Sequence, residues 1–192
     1  LANLIEAENL GKRYGSRWLF RRVSLSLTAG DFLVIRGANG SGKSTLARGL
    51  AHLIELTEGQ VRVEGDPRLA IGYAALDMAV YPHLTPVEHL EMAAELRGAG
   101  SVDLDRFGLE SCRNTWGQGL STGQRMRLKI AMAVQVNPPV LILDEPGASL
   151  DDAGRAVVEE VVRTQRQSGC VVVATNDPRE GVEANLEFRL DD

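Results

Sequence analysis

An α/β fold with a mostly parallel sheet, covered by helices on both faces, is predicted by three observations. Strands and helices alternate along most of the chain. Short apolar runs, among them Phe32-Leu33-Val34-Ile35 and Val140-Leu141-Ile142-Leu143, read as buried strands. A glycine-rich loop, 37–42, lies between the first of these runs and a segment of helical apolar spacing.

Taken in order, residues 4–35 read as strands joined by short turns. Leu4–Leu10 alternates loosely, and Val23, Leu25 and Leu27 recur at period two within 18–27. Leu46, Leu50, Leu53 and Ile54 then mark a helix. Residues 61–63 and 70–74 suggest two further strands. Thr85 reads as a helix cap and Pro86 as a first-turn proline, opening a helix over 87–97. Gly98-Ala99-Gly100-Ser101 ends that helix, and a short helix is expected over 103–109. Residues 79–119 therefore read as a small helical lobe. A helix over 123–136, a strand over 140–143 and a long helix over 152–167 follow. A strand over 170–174, a short helix near 178–184 and a last strand over 186–190 close the chain. No internal repeat or low-complexity tract interrupts this order.

Length and composition narrow the function classes. The 192 residues suffice for one domain with an appended lobe, and 44% apolar with 24% charged residues is the balance of a soluble globular protein. No apolar run reaches bilayer-spanning length, and no signal-peptide pattern opens the chain. The first residue is Leu1, not Met, so the N-terminus is expected to be trimmed or processed. A net charge of −5 argues against a nucleic-acid partner. The basic residues Lys12, Arg13, Arg17, Arg21 and Arg22 read as a solvated strand face or as charge near a phosphate. Cys112 and Cys170 lack metal-ligand spacing and suggest no disulfide framework, so a reducing cytosol is expected.

Gly37-Ala38-Asn39-Gly40-Ser41-Gly42-Lys43-Ser44-Thr45 fits G-x-x-x-x-G-K-[ST], the P-loop pattern, in the strand–loop–helix setting it requires. Glycines allow the backbone to wrap inward so that several N–H groups converge on phosphate oxygens, and the helix start adds its positive dipole end. Lys43 is expected to reach the β and γ phosphates and Ser44 to hold Mg²⁺. The apolar strand before Asp144-Glu145-Pro146 places two carboxylates at its end. Asp144 is expected in the Mg²⁺ shell and Glu145 beside an attacking water. Leu120-Ser121-Thr122-Gly123-Gln124-Arg125 reads as a capped helix start, with Ser121 as N-cap, offering N–H groups and a hydroxyl to an anion.

With these motifs in this order, essentially the whole chain resembles the nucleotide-binding domains of ABC ATPases. Leu120–Gln124 looks like the LSGGQ signature with Thr122 as a variant, and Ala148-Ser149-Leu150-Asp151 looks like the D-loop. The resemblance implies a P-loop NTPase core with an N-terminal antiparallel β subdomain, together about 1–78 and 120–192, and a helical subdomain at about 79–119. It implies ATP and Mg²⁺ as cofactors, with Tyr14 stacked on adenine. It also implies a head-to-tail dimer with a second ABC ATPase domain, Ser121 and Gly123 pointing at a γ-phosphate held by the partner. Integral membrane transporter subunits would complete the assembly, placing this chain on the inner face of the cell membrane. The short single-domain form resembles the haem-exporter ATPases of cytochrome c maturation.

Two positions depart from the family pattern. Leu76 stands where the family usually has Gln, with Asp77 next to it as a substitute one residue later. Asn176 stands where the family usually has a His on the γ-phosphate. Asn can donate an amide N–H but carries no charge, so slow hydrolysis is expected. The departures fit either one half of an asymmetric pair that mainly binds ATP or a slowly cycling homodimer. Met78, Val80, Tyr81 and Leu84 are candidates for a docking patch or for ordinary lobe packing. His52 reads as structural, while His83 and His89 leave a metal or haem role open. A soluble ABC ATPase acting on ribosomes or DNA is the competing class, and it usually carries tandem domains or basic arms. No N-K-x-D guanine motif supports a GTPase.

Overall fold

A computed structural model describes residues 2–98, 100 and 103–190. Ala99 and Ser101 of the expected helix-ending segment, and Leu1, lie outside the described residues. Two sheets form. An antiparallel sheet has the order β2-β1-β4, from β1 (Ile5–Tyr14), β2 (Arg17–Leu27) and β4 (Glu58–Val63). A parallel sheet has the order β5-β6-β7-β3-β8, from β3 (Phe32–Gly37), β5 (Ile71–Ala75), β6 (Val140–Asp144), β7 (Cys170–Ala174) and β8 (Leu186–Leu190).

The parallel sheet is buried on both faces because its side chains alternate. Phe32, Val34, Leu141, Leu143, Val171 and Val173 face one core, while Leu33, Ile35, Val140, Ile142, Val172 and Ala174 face the other. Helix α1 (Lys43–Leu50) and the antiparallel sheet cover the second face. Helices α4 (Thr122–Val134) and α5 (Asp152–Gln165) cover the first. Strands β6 and β7 expose no residue, which is why their sequences are unbroken apolar runs.

Between β5 and α4 lies α3 (Pro86–Arg97), followed by three 3₁₀ turns, at Asp105–Phe107, Glu110–Cys112 and Gly117–Gly119. The Thr85 cap forms as a full capping box with Glu88. Arg97 ties this region to the core by donating to the carbonyls of Arg68, Ile71 and Met132.

Several local expectations are corrected. The helix expected over 103–109 is a single 3₁₀ turn, because Gly108 takes φ 60 and stops it. The segment 178–184 is a series of turns, not a helix. Gly181 there has φ 78 and packs so close to Val34 that a Cβ would lie 2.2 Å from its Cγ2. Helix α1 ends at Leu50, short of Leu53 and Ile54, since His52 turns the chain at φ 57 and leaves Leu53 exposed. A short helix α2 (Pro67–Ala70), capped by Asp66, precedes β5 and was not expected. Lys12 and Arg21 bond the Glu55 carbonyl and the Glu58 carboxylate, so the basic stretch is a solvated strand face.

Candidate nucleotide site

Strands β3, β6 and β7 end side by side, with Ile35 paired to Ala174 and Asp144 paired to Ala174. Crevices outside the carboxyl ends of parallel strands are where α/β sheets bind ligands. The loop after β3 turns sharply into α1. At Gly37, φ is 155 and a Cβ would lie 2.5 Å from both the Leu190 carbonyl and the Ser41 hydroxyl. At Gly42, φ is 105 and a Cβ would meet Leu19 at 2.7 Å. Only glycine fits either position, which is the local reason the loop can curl its amides inward.

Lys43 opens α1 and is buried. Its Nζ donates to the Gly37 and Ala38 carbonyls at 3.0 and 3.1 Å, and lies 3.9 Å from the Glu145 carboxylate. Ser44 Oγ donates to Asp144 Oδ1 at 2.9 Å, while the Tyr73 hydroxyl approaches Oδ2 at 3.4 Å. Burial pushes the Asp144 carboxyl above the ordinary range, and the Ser44 bond partly offsets this. A buried carboxylate beside a serine hydroxyl is a hard-oxygen donor pair suited to Mg²⁺. The Ser41 hydroxyl is buried with no partner, a polar group inside the loop positioned for a ligand oxygen.

Glu145 adopts φ 50, and its amide donates to the Ala174 carbonyl at 2.8 Å. That turn carries its carboxylate out of the sheet toward Lys43 and Thr175. Asn176 follows β7, and its side-chain amide donates to the Asn39 side chain of the P-loop. Asp177 is held by Arg179 and Arg155, and its carboxyl sits well below the ordinary range, chiefly through the Arg179 side chain.

The structure thus brings together Gly37, Asn39, Gly40, Ser41, Gly42, Lys43, Ser44, Thr45, Asp144, Glu145 and Asn176. Tyr14 stands at the β1–β2 hairpin, 59% exposed, with the Lys12 ammonium 5.0 Å from its ring centre. Ser121 caps α4 in a capping box with Gln124 and is exposed. Gly123 packs against the D-loop, where a Cβ would lie 3.0 Å from the Ser149 carbonyl. Among the described residues no hydrogen bond joins 121–124 to the P-loop.

Neither Leu76 nor Asp77 bonds the Asp144 carboxylate, although the Asp77 charge lies close enough to help raise its pKa. Leu76 is exposed, and Asp77 pairs with Arg48 instead. Arg48 and Tyr73 were missed by sequence reasoning. Arg48 lies one helical turn beyond Ser44 and so shares its face, a spacing visible in the sequence. His89 is buried with both ring nitrogens engaged, Nδ1 with the Thr85 carbonyl and Nε2 accepting from the Tyr81 amide. Those bonds oppose the metal role left open for it, and no cluster of three metal-ligating side chains occurs among the described residues.

A family model described as ABC transporter matches residues 20–148. The chain belongs to the ABC transporter ATP-binding family. It is by that membership an ABC-type ATPase. It is 33% identical over 201 residues to a cytochrome c biogenesis ATP-binding export protein, CcmA, of Agrobacterium fabrum, covering 97% of this chain and 94% of that one. It is 28% identical to a lipopolysaccharide export system ATP-binding protein, LptB, of Haemophilus influenzae, over 91% of this chain and 80% of that one. Among solved structures, a dimeric bacterial ABC transporter cassette superposes with a TM-score of 0.85 at 25% identity, over 97% of this chain and 94% of that one. The ABC ATPase fold, with its parallel core and antiparallel β subdomain, is therefore established. No helix among the described residues is long and apolar enough to cross a membrane.

Proposed function

We propose that this chain binds MgATP between its own P-loop and the signature of a second ATP-binding domain, hydrolyses it slowly, and powers transport through separate membrane subunits. The carrying observation is a division of parts. Lys43, Ser44, Asp144, Glu145 and Asn176 converge at one end of the sheet, whereas Ser121 is exposed and unconnected to them. A site that lacks its signature half is completed by another molecule.

Within it, the amides of 37–42 cradle the phosphates and Lys43 turns from its two loop carbonyls to the β and γ phosphates. Thr45 continues the cradle at the first turn of α1, and Tyr14 offers its exposed ring to adenine. Ser44 and Asp144 would hold Mg²⁺, which would supply positive charge to the phosphates. Glu145, placed beside Lys43 by its left-handed turn, orients and deprotonates the attacking water. Asn176 donates one N–H to the γ-phosphate. Ser121, Gly123 and Gln124 offer the hydroxyl and amides of the α4 N-terminus to the partner's γ-phosphate.

A groove of about 420 Å³ between the segment after β5 and α4, lined by Leu76, Met78, Val80, Pro82 and Gln118, would receive the membrane subunit. The exposed rings of Tyr81 and Trp116 stand close to its lining residues. Residues 79–119 act as the helical subdomain carrying one wall of this groove. The chain would then sit on the cytoplasmic face of the membrane. Its similarity to relatives named for cytochrome c biogenesis export supports a role in that kind of export, and its charge of −5 supports no nucleic-acid partner.

The weakened switch is tested by restoring it. Asn176→His is expected to raise turnover by about ten- to a hundredfold, since a charged transition-state donor is worth on the order of 10² in rate. Leu76→Gln alone is expected to raise it less, and the pair most. Steady-state ATPase assays on the purified chain read this directly. Native turnover already at roughly several per second, near the median for enzymes, would contradict a weakened site.

A further inference from the structure

We propose that Arg48, Asp77 and Lys129 form a polar tie that couples the metal-holding end of β6 to the signature helix, at the place where Leu76 provides no side-chain ligand. The proposal rests on the nucleotide-site reading above.

Both oxygens of Asp144 are held, Oδ1 by Ser44 from α1 and Oδ2 by Tyr73 from β5. Arg48, on the same face of α1 as Ser44, lies against the Tyr73 hydroxyl and pairs with the Asp77 carboxylate. The preceding residue is fixed from the other side. The Leu76 carbonyl accepts from Lys129 Nζ at 2.6 Å. Lys129 is 4% exposed and lies two turns along α4 from the Ser121 cap. The dipeptide 76–77 is thus gripped by one cation from the P-loop helix and another from the signature helix.

Two features separate this arrangement from ordinary packing. A buried ammonium whose bonded partner is a neutral carbonyl is costly to desolvate, and the nearby Asp77 carboxylate offsets only part of that cost. The Arg48–Asp77 pair is half exposed and on the surface, so it adds little to folding stability. Its consequence is positional. Moving Asp77 moves Leu76, and through Lys129 shifts α4 relative to α1. Because Ser121 must meet a γ-phosphate across an interface, a small displacement of α4 acts on the closed state and leaves nucleotide binding in the open state alone. Arg48, Asp77 and Lys129 are positioning residues.

The test uses the full chain with Arg48→Met, Asp77→Asn, the double variant, Lys129→Met and the conservative Arg48→Lys. ATPase kcat and KM for MgATP are measured with the affinity for a fluorescent ATP analogue and the thermal midpoint. Each of Arg48→Met, Asp77→Asn and Lys129→Met is expected to lower kcat about fivefold or more, the scale of a coupling between sites, with KM and analogue affinity within about twofold. The double variant is expected to be no worse than either single one, since both break one contact. Arg48→Lys, which keeps the pair, is expected to stay within about twofold of native. Normal analogue binding with native kcat in Arg48→Met and Asp77→Asn, or in Lys129→Met, would overturn the tie while leaving the nucleotide site intact. So would losses that multiply in the double variant. A native chain that binds no analogue would overturn the nucleotide-site reading, and the tie with it.

Discussion

Lys43→Ala is expected to lower ATP affinity by about 10²-fold and turnover by about 10³-fold, because charge-assisted bonds to phosphate and to the transition state are both lost. The expectation rests on where the ammonium sits. It is 6% exposed, donates to the Gly37 and Ala38 carbonyls, and lies 3.9 Å from the Glu145 carboxylate. Neutral carbonyls compensate a buried charge poorly, so the group is poised to exchange them for phosphate oxygens. The effect on folding is small. Removing a buried charge also removes its desolvation cost, so the thermal midpoint is expected to fall by only a few degrees, equivalent to about 1 kcal/mol or less. Lys43→Met, which keeps the buried stem, provides the packing control. Calorimetric titration with an ATP analogue and an ATPase assay check both halves. Native affinity in either variant would remove Lys43 from the site.

Glu145→Gln is expected to lower kcat by about 10²- to 10³-fold, the usual scale for losing a general base, while ATP affinity is kept or rises. Gln preserves the left-handed turn at φ 50 and the bond from its amide to Ala174, so the site keeps its shape. What is lost is only the ability to accept the proton of the attacking water. If ATP joins two domains and hydrolysis parts them, the substituted chain accumulates as an ATP-dependent dimer that the native chain forms only transiently. Sedimentation with and without MgATP reads that difference. A variant that hydrolyses ATP at the native rate would move the base elsewhere.

The parts of this site that sequence reasoning reached are those set by local chemistry. The P-loop needs glycine at 37 and 42 for steric reasons that hold in any such turn, and the Thr85 and Ser121 caps depend on residues within three positions. The acidic strand end at 144–145 follows from an apolar run that stops at a charge. What was not legible depends on tertiary partners. The pairing of Asp77 with Arg48, 29 residues away, carries no signal in the sequence. The segment 178–184 has helical composition, but Val34 crowds Gly181, and Asn185 bonds both Asp31 and the Phe32 amide, so the chain turns back into β8. Lys129 carries no sequence signal at all, since a lysine on an amphipathic helix ordinarily faces water. The antiparallel sheet was foreseen through the family resemblance, whereas its bulged register at Asn9 and Arg22, both with positive φ, was not.

The joining of ATP to two molecules is tested most directly by mixing two inactive chains. Lys43→Ala keeps its signature and loses its P-loop, and Ser121→Arg keeps its P-loop and loses its signature. Each alone is expected to hydrolyse ATP at about 10³-fold below the native rate or less. An equimolar mixture assembles one intact composite site in its mixed dimers, so turnover well above the sum of the two is the expected result. A mixture that stays at that sum, or a Ser121→Arg chain that hydrolyses ATP as the native one does, would contradict a site shared between two subunits.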